Sequence, residues 1–151
     1  MSPQQPPSKL PQWVQDHLTA YLLTDGAAGH WYDASAKGGP KVVASLLLTT
    51  IGRKSGQELQ LPLFYGESPE GPVIVASKGG APEHPAWYLN LAANPNEKVQ
   101  VGGDKFAARA RTVTGEKRAA LWAMMNKVWP YYDDYQRKTP RQIPVVVLER
   151  V

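Results

Sequence analysis

Val42-Val43-Ala44-Ser45-Leu46-Leu47-Leu48-Thr49-Thr50, then Ile51-Gly52-Arg53-Lys54-Ser55-Gly56-Gln57, then Leu59-Gln60-Leu61-Pro62-Leu63-Phe64-Tyr65 read as a strand, a basic glycine turn and a returning strand. A short turn between two apolar runs predicts antiparallel pairing. Pro62 has no N–H for a sheet ladder, so its strand belongs at an edge or a bulge. The turn carries two adjacent cations between two glycines. Glycine lets backbone approach a ligand closely, and arginine forks onto phosphate or carboxylate oxygens while lysine adds a point charge. A second basic glycine turn, Ser77-Lys78-Gly79-Gly80, follows the strand Val73-Ile74-Val75-Ala76. Two such turns suit a large anionic molecule. They also suit two solvated hairpin ends, and turn chemistry alone leaves both readings open.

Working outward, the rest of the chain continues the meander. Glu67 to Gly71 reads as a turn and Pro72 to Ser77 as a strand. Pro85 suits the first turn of a helix that Asn94-Pro95 ends. Glu97 to Val101 and Phe106 to Val113 form a hairpin around Gly102-Gly103-Asp104. Thr114 is positioned to cap the next helix through its hydroxyl, and Leu121, Met124, Met125 and Val128 form its apolar stripe. Ile143 to Leu148 has the continuous β-branched character of a buried strand. About six strands and three or four helices result, with the helices before, inside and after the meander. That order favours a β-barrel decorated by helices over a βαβ fold.

Towards the N-terminus, Pro3, Pro6, Pro7 and Pro11 make residues 1–11 a flexible lead, and residues 12–151 a single domain. Val14, Leu18, Tyr21 and Leu22 recur at helical spacing. This short helix reads as one packed on the domain. Contact with a membrane surface or cover over a substrate are the sharper readings. Residues 24–41, ending at Gly38-Gly39-Pro40, read as a mobile or ligand-covering loop.

The bulk numbers narrow the function classes. A chain of 151 residues is one domain with a sizeable core. With no cysteine, thiol nucleophiles, thiolate metal sites and redox disulfides are excluded. His17, His30 and His84 are too scattered in sequence to show a metal-ligand spacing. A net charge of +4 favours anionic partners. Its cations are dispersed rather than interleaved with aromatics, so no nucleic-acid face is expected. No basic-then-apolar leader and no long apolar stretch appear, and a cytoplasmic protein is the expectation. Catalytic elbows, metalloprotease helices, phosphate loops and dinucleotide fingerprints are missing. What remains is anion turns plus aromatics: Trp129-Pro130-Tyr131-Tyr132-Asp133-Asp134-Tyr135. On a helix Tyr132 and Tyr135 share a side, where they suit either an aromatic core patch or the wall of a pocket for a planar substrate.

Three ordered motifs carry a resemblance. They are Leu48 to Gly56, Val73 to Gly80, and Pro85-Ala86-Trp87-Tyr88-Leu89-Asn90-Leu91-Ala92-Ala93-Asn94-Pro95. Together they resemble the deazaflavin (coenzyme F420)-dependent nitroreductase family of actinobacteria, closely over about residues 44–101 and again over 129–149. The resemblance implies a mainly β fold, a split β-barrel with flanking α-helices. It implies hydride transfer from reduced F420 to planar electron-poor acceptors: quinones, activated enones and nitroaromatics. Arg53, Lys54 and Ser55 would hold the acidic tail. Lys78, Gly79 and Gly80 would lie near the polar arm or ring edge, Trp87 and Asn90 would border the cofactor, and Pro62 and Phe64 would lie along its ring. Ser77 would sit at the reacting face, with Tyr132 or Ser77 as proton donor, and Trp129, Tyr132 and Tyr135 would cover the substrate. The chain departs from the pattern where Leu59 replaces a further cation, and where Phe64 and Trp129 replace tyrosines. The alternatives are an FMN-dependent reductase on the same barrel and a deazaflavin carrier without turnover. The expected partner is a small-molecule acceptor, not nucleic acid. Weak peripheral contact with the inner membrane through residues 12–23 and either a monomer or a homodimer also fit.

Overall fold

The computed structural model describes residues 10–33, 35 and 42–151. Most of the proline-rich lead and the Gly38-Gly39-Pro40 end of the expected loop lie outside the described residues. Among the described residues there are eight strands: β1 (Trp31–Tyr32), β2 (Val43–Ile51), β3 (Glu58–Phe64), β4 (Gly66–Ser68), β5 (Gly71–Val75), β6 (Asn96–Val101), β7 (Asp104–Thr112) and β8 (Val145–Arg150). Four helices accompany them: α1 (Gln12–Leu23), α2 (Ala86–Ala93), α3 (Gly115–Val128) and α4 (Tyr132–Arg137). The additional strands are short: β1 lies in the expected loop and β4 in the expected turn.

All recorded pairings are antiparallel. The main path runs β2-β6-β7-β8-β5-β4, with β1 and β3 both on β2. Thus β3 and β4 stand at opposite ends of the path, yet only Tyr65 separates them in the chain. A sheet whose two edges are one residue apart cannot lie flat. It curls into a half-barrel, and Tyr65 marks the seam, its N–H donating to Ala44 O at 3.1 Å. β3 pairs only with β2, with Pro62 opposite Leu47. Pro62 therefore sits on an edge strand, as its missing N–H requires.

Strand alternation sorts the core into two clusters. Ile74, Ala76, Val146 and Leu148 join Leu46, Leu48, Val99 and Leu91 in one. Val73, Val75, Val145 and Val147 join Met125, Trp129 and Tyr132 in the other. β5 and β8 are therefore covered on both faces, which explains their unbroken β-branched runs. The expected stripe of α3 packs on the second cluster, with Met125 fully buried and Leu121, Met124 and Val128 beside it. Thr114 occupies the N-cap position of α3 but makes no side-chain cap hydrogen bond, so the expected hydroxyl cap is absent. α1 is the packed helix. Its Tyr21 hydroxyl is buried, accepts from Gly102 N–H (2.7 Å) and donates towards the carbonyls of Ser45 (3.0 Å) and Gln100 (3.3 Å). No helix among the described residues is long and apolar enough to cross a membrane.

Candidate functional site

β3 organises the site. Its seven residues span about 20 Å. At its start stands the cationic turn. Gly52 N–H bonds to Gln57 O (2.7 Å), Gly56 N–H to Gly52 O (2.8 Å), and Gly56 takes the left-handed φ of 73°. A Cβ on Gly52 would fall 2.5 Å from Ser55 Oγ, so a side chain there would displace the Ser55 hydroxyl. Ser55 Oγ accepts from Gln57 N–H at 3.1 Å and braces the turn. Arg53 and Lys54 are exposed, and among the described residues neither is in an ion pair. Asn90 of α2, buried at 2% exposure, accepts from Arg53 N–H (3.2 Å) and Nη1 (2.9 Å) through Oδ1. Its Nδ2 donates to Thr50 Oγ1 at 3.3 Å. A helix residue thus fixes the turn and aims the guanidinium.

Along the first half of β3 lies a mainly apolar cavity of about 500 Å³, bounded by Glu58 to Leu61, Thr50, Trp87 and Asn90, with Leu10 and Leu18 across from them. Along the second half lies an aromatic cleft of about 350 Å³. Pro62, Leu63 and Phe64 form one wall, Val75, Ser77 and Gly79 another, and Trp129, Tyr132 and Tyr135 a third. Trp13, Val14 and His17 of α1 complete it. The rings touch in sequence: Tyr32 to Phe64 at 5.9 Å, Phe64 to Trp129 at 5.1 Å, and Tyr132 to Tyr135 at 6.2 Å between centroids. Burial and the neighbouring Tyr135 push the Tyr132 phenol well above the usual tyrosine range. Among the described residues no hydrogen-bond partner is found for Ser77 Oγ or the Tyr132 hydroxyl.

The Ser77–Ala81 segment owes its shape to left-handed backbone that two glycines adopt freely, and to one arginine. Lys78, Gly79 and Gly80 all have left-handed φ (46°, 64° and 85°). Arg141 donates to the carbonyls of Ala76 (3.3 Å), Ser77 (2.8 Å) and Ala81 (2.9 Å) and holds His84 Nδ1 at 3.0 Å. His84, half-buried and next to that cation, has its pKa held below the usual imidazole value, mainly by burial.

The expected site residues fall into three groups. Pro62, Phe64, Ser77, Gly79, Trp129, Tyr132 and Tyr135 line the aromatic cleft. Trp87 and Asn90 line the cavity, and Arg53, Lys54 and Ser55 form the turn beyond it. Lys78 and Gly80 are at the periphery: Lys78 Nζ pairs with Glu83 at 3.2 Å, and Gly80 is buried under Tyr135. Sequence reasoning missed Arg141 and Thr50. For α1 the Val14–Leu18–Tyr21 period left both packing and cover over a substrate open, and the helix both packs on the domain and lines the cleft with Trp13, Val14 and His17.

An anionic cofactor with a planar ring fits these residues. Exposed, unpaired cations stand at one end of a groove, and flat apolar walls at the other. A Cβ on Gly79 would meet nothing within 4 Å, so the cleft wall is left open there.

A curled antiparallel sheet with joined edges, helices on its flanks and an apolar groove along its edge strand defines a split-barrel oxidoreductase. The family model for F420H(2)-dependent quinone reductase matches residues 13–150, and the chain belongs to that family. Its cofactor is therefore reduced coenzyme F420, which leaves the FMN alternative without support. An F420H(2)-dependent quinone reductase of Mycobacterium tuberculosis is 37% identical, over 92% of this chain and 97% of the relative. A solved F420-H2 dependent reductase is 42% identical with a TM-score of 0.65, over 70% of this chain and 93% of that one. A domain-swapped dimer is 34% identical with a TM-score of 0.69, over 96% and 100%. The resemblance to deazaflavin-dependent reductases thus narrows from the nitroreductase branch to the quinone reductases.

Proposed function

We propose that this protein is an F420H2-dependent reductase that passes hydride to quinones, with activated enones and nitroaromatics as the wider acceptor class. The observation that carries it is the order along β3: cations in no ion pair among the described residues, then a cavity, then an aromatic cleft where the Ser77 and Tyr132 hydroxyls have no hydrogen-bond partner among the described residues. Such an order matches a molecule acidic at one end and planar at the other.

Bound reduced F420 supplies the hydride, and that chemistry belongs to the cofactor. The chain supplies the rest. Arg53 and Lys54 hold the acidic tail by charge-assisted hydrogen bonds. Asn90 keeps Arg53 aimed at it, and Trp87 and Leu61 wall the middle of the groove. Pro62 and Phe64 give the ring a flat apolar surface. Trp129 and the α1 residues exclude water and fix the acceptor against it, and such orientation contributes several kcal/mol, about 7–11 in favourable cases. Ser77 and Tyr132 offer hydrogen bonds to the acceptor oxygen. The swapped-dimer relative favours the homodimer of the two expected oligomeric states.

Anaerobic mixing with reduced F420 and menadione tests the reading. Oxidation of the cofactor should exceed the uncatalysed rate at least tenfold, or roughly 1.4 kcal/mol in the barrier. Enone and nitroaromatic acceptors then define the range. Tight cofactor binding with no turnover on any acceptor would leave a carrier instead.

A further inference from the structure

Trp129 and Tyr135 meet on one wall of the aromatic cleft, with indole Nε1 3.1 Å from the Tyr135 hydroxyl oxygen. An indole N–H donates and never accepts, so the direction of this bond is fixed. The Tyr135 oxygen accepts, and its own proton must point away from Trp129. Among the described residues no acceptor for that proton is found. Tyr135 is half-buried and lines the cleft, whereas Tyr132 is buried at 5% exposure. A tyrosine at position 129 would leave the bond free to run either way. Trp129, one of this chain's departures from the nitroreductase pattern, removes that freedom.

We propose that Tyr135, oriented by Trp129, is the catalytic residue that delivers the proton completing acceptor reduction, with Ser77 and Tyr132 as hydrogen-bonding neighbours. This rests on the reductase reading above. The balance closes for a quinone. The hydride brings both electrons and one hydrogen, and Tyr135 brings the second hydrogen as a proton. Two C=O bonds become two C–OH bonds. The phenolate left on Tyr135 regains its proton from water, which reaches a half-buried ring more readily than the buried Tyr132.

The test uses the full chain with reduced F420 and menadione. Tyr135→Phe removes one hydroxyl and should lower kcat about 100-fold, the low end of what a positioned acid contributes. Its Kd for oxidised F420, read by fluorescence, should stay within about twofold, since no cofactor contact is lost. Trp129→Phe should lower kcat about fivefold, the worth of one hydrogen bond. Because Trp129 is buried, Trp129→His, whose ring can again donate, serves as the second variant and should recover part of that loss. In the protein without cofactor, the Trp129 indole N–H resonance should shift upfield in Tyr135→Phe. A wild-type protein inert towards menadione overturns the reductase reading and this assignment together. An active wild type whose Tyr135→Phe variant keeps kcat within twofold overturns the donor assignment alone.

Discussion

At one end of β3, Arg53 and Lys54 stand in solvent on a turn braced by its own glycines and by a single buried asparagine. At the other end, Trp129, Tyr132 and Tyr135 face Phe64 across a cleft whose walls come from α1, β3, the Ser77–Gly80 segment and α4. The first is a local structure carrying charge. The second is a remote assembly carrying shape. Changes at the turn should therefore alter binding and leave the fold, while changes at the cleft should alter both.

The sharpest way to break this contrast lies at Gly80. Its φ is 85°, and a Cβ would come 2.7 Å from Tyr135 O and 3.1 Å from Tyr135 Cα. Both atoms are backbone, so α4 must move or the residue must strain. Gly80→Val should cost about 3 kcal/mol, or roughly 10 °C in Tm for a chain of this size, and menadione turnover should fall with it. Gly79→Ala is the control. Its φ is 64° but no atom lies within 4 Å of the added Cβ, so only backbone strain of about 1 kcal/mol remains. Thermal melts showing both variants within about 2 °C of wild type, roughly 0.5–1 kcal/mol, would end the claim that Gly80 seats α4.

A second difference between the ends is their response to pH. Near the turn, β2 and β6 pair Leu48 with Val99 and Thr49 with Lys98. One step further along that register sets Glu97 beside Thr50, on the face of Leu48 and Val99. Glu97 is buried at 4% exposure, and neither carboxyl oxygen has a hydrogen-bond partner among the described residues. Burial raises its pKa from 4.5 to about 7. The folded state therefore holds a proton that the unfolded chain releases between those values. Stability is undiminished below pH 4.5, falls as pH rises towards about 7, and is level above it. The drop is up to about 3 kcal/mol. Glu97→Gln should abolish that slope and stabilise the protein at pH 8, as urea titrations at pH 5 and pH 8 would show. At the cleft end the raised Tyr132 phenol titrates only above the ordinary tyrosine range. His84 there, held below the usual imidazole value by burial, gives a slope of the opposite sign, with stability lost as pH falls through the ordinary imidazole range. Equal pH slopes in wild type and Glu97→Gln would remove the carboxyl as the cause.

The contrast also explains what could be read from sequence. The Gly52–Gly56 turn was legible because a turn is a local device: its glycines, its serine brace and its cations lie within five residues. The edge position of β3 followed from Pro62, and the buried β8 from an unbroken valine run. The seam at Tyr65 was not legible, since it depends on which strands stand at the ends of the sheet. Nor was the role of Arg141, whose three carbonyl partners lie 60 to 65 residues earlier. Likewise the period of α1 marked a packed face without showing that His17 and Trp13 close a cleft. The aromatic cluster at 129–135 was visible as composition, but the single hydrogen bond that orders Trp129 and Tyr135 exists only in three dimensions.

The smallest effect on the fold, and the one that isolates the turn, comes from Arg53→Ala with Lys54→Ala. Arg53 Nη1 bonds Asn90 Oδ1, but so does the Arg53 backbone N–H, which alanine retains. Asn90 also keeps its bond to Thr50, so no buried polar atom is orphaned. Exposed turn charges contribute about 0–1 kcal/mol, so Tm should shift by no more than roughly 2–3 °C. Cofactor affinity should respond far more. Two charge-assisted contacts at about 1 kcal/mol each correspond to a Kd for F420 raised about 30-fold. The salt dependence of binding should flatten as well, because the lost term is the screened one. Fluorescence titration of F420 at two salt concentrations reads both quantities. If affinity and salt slope match wild type, the acidic tail lies elsewhere and the cations of this turn are only solvated. If Tm falls as far as in Gly80→Val, the turn is part of the remote assembly after all, and the division of β3 into a charge end and a shape end fails.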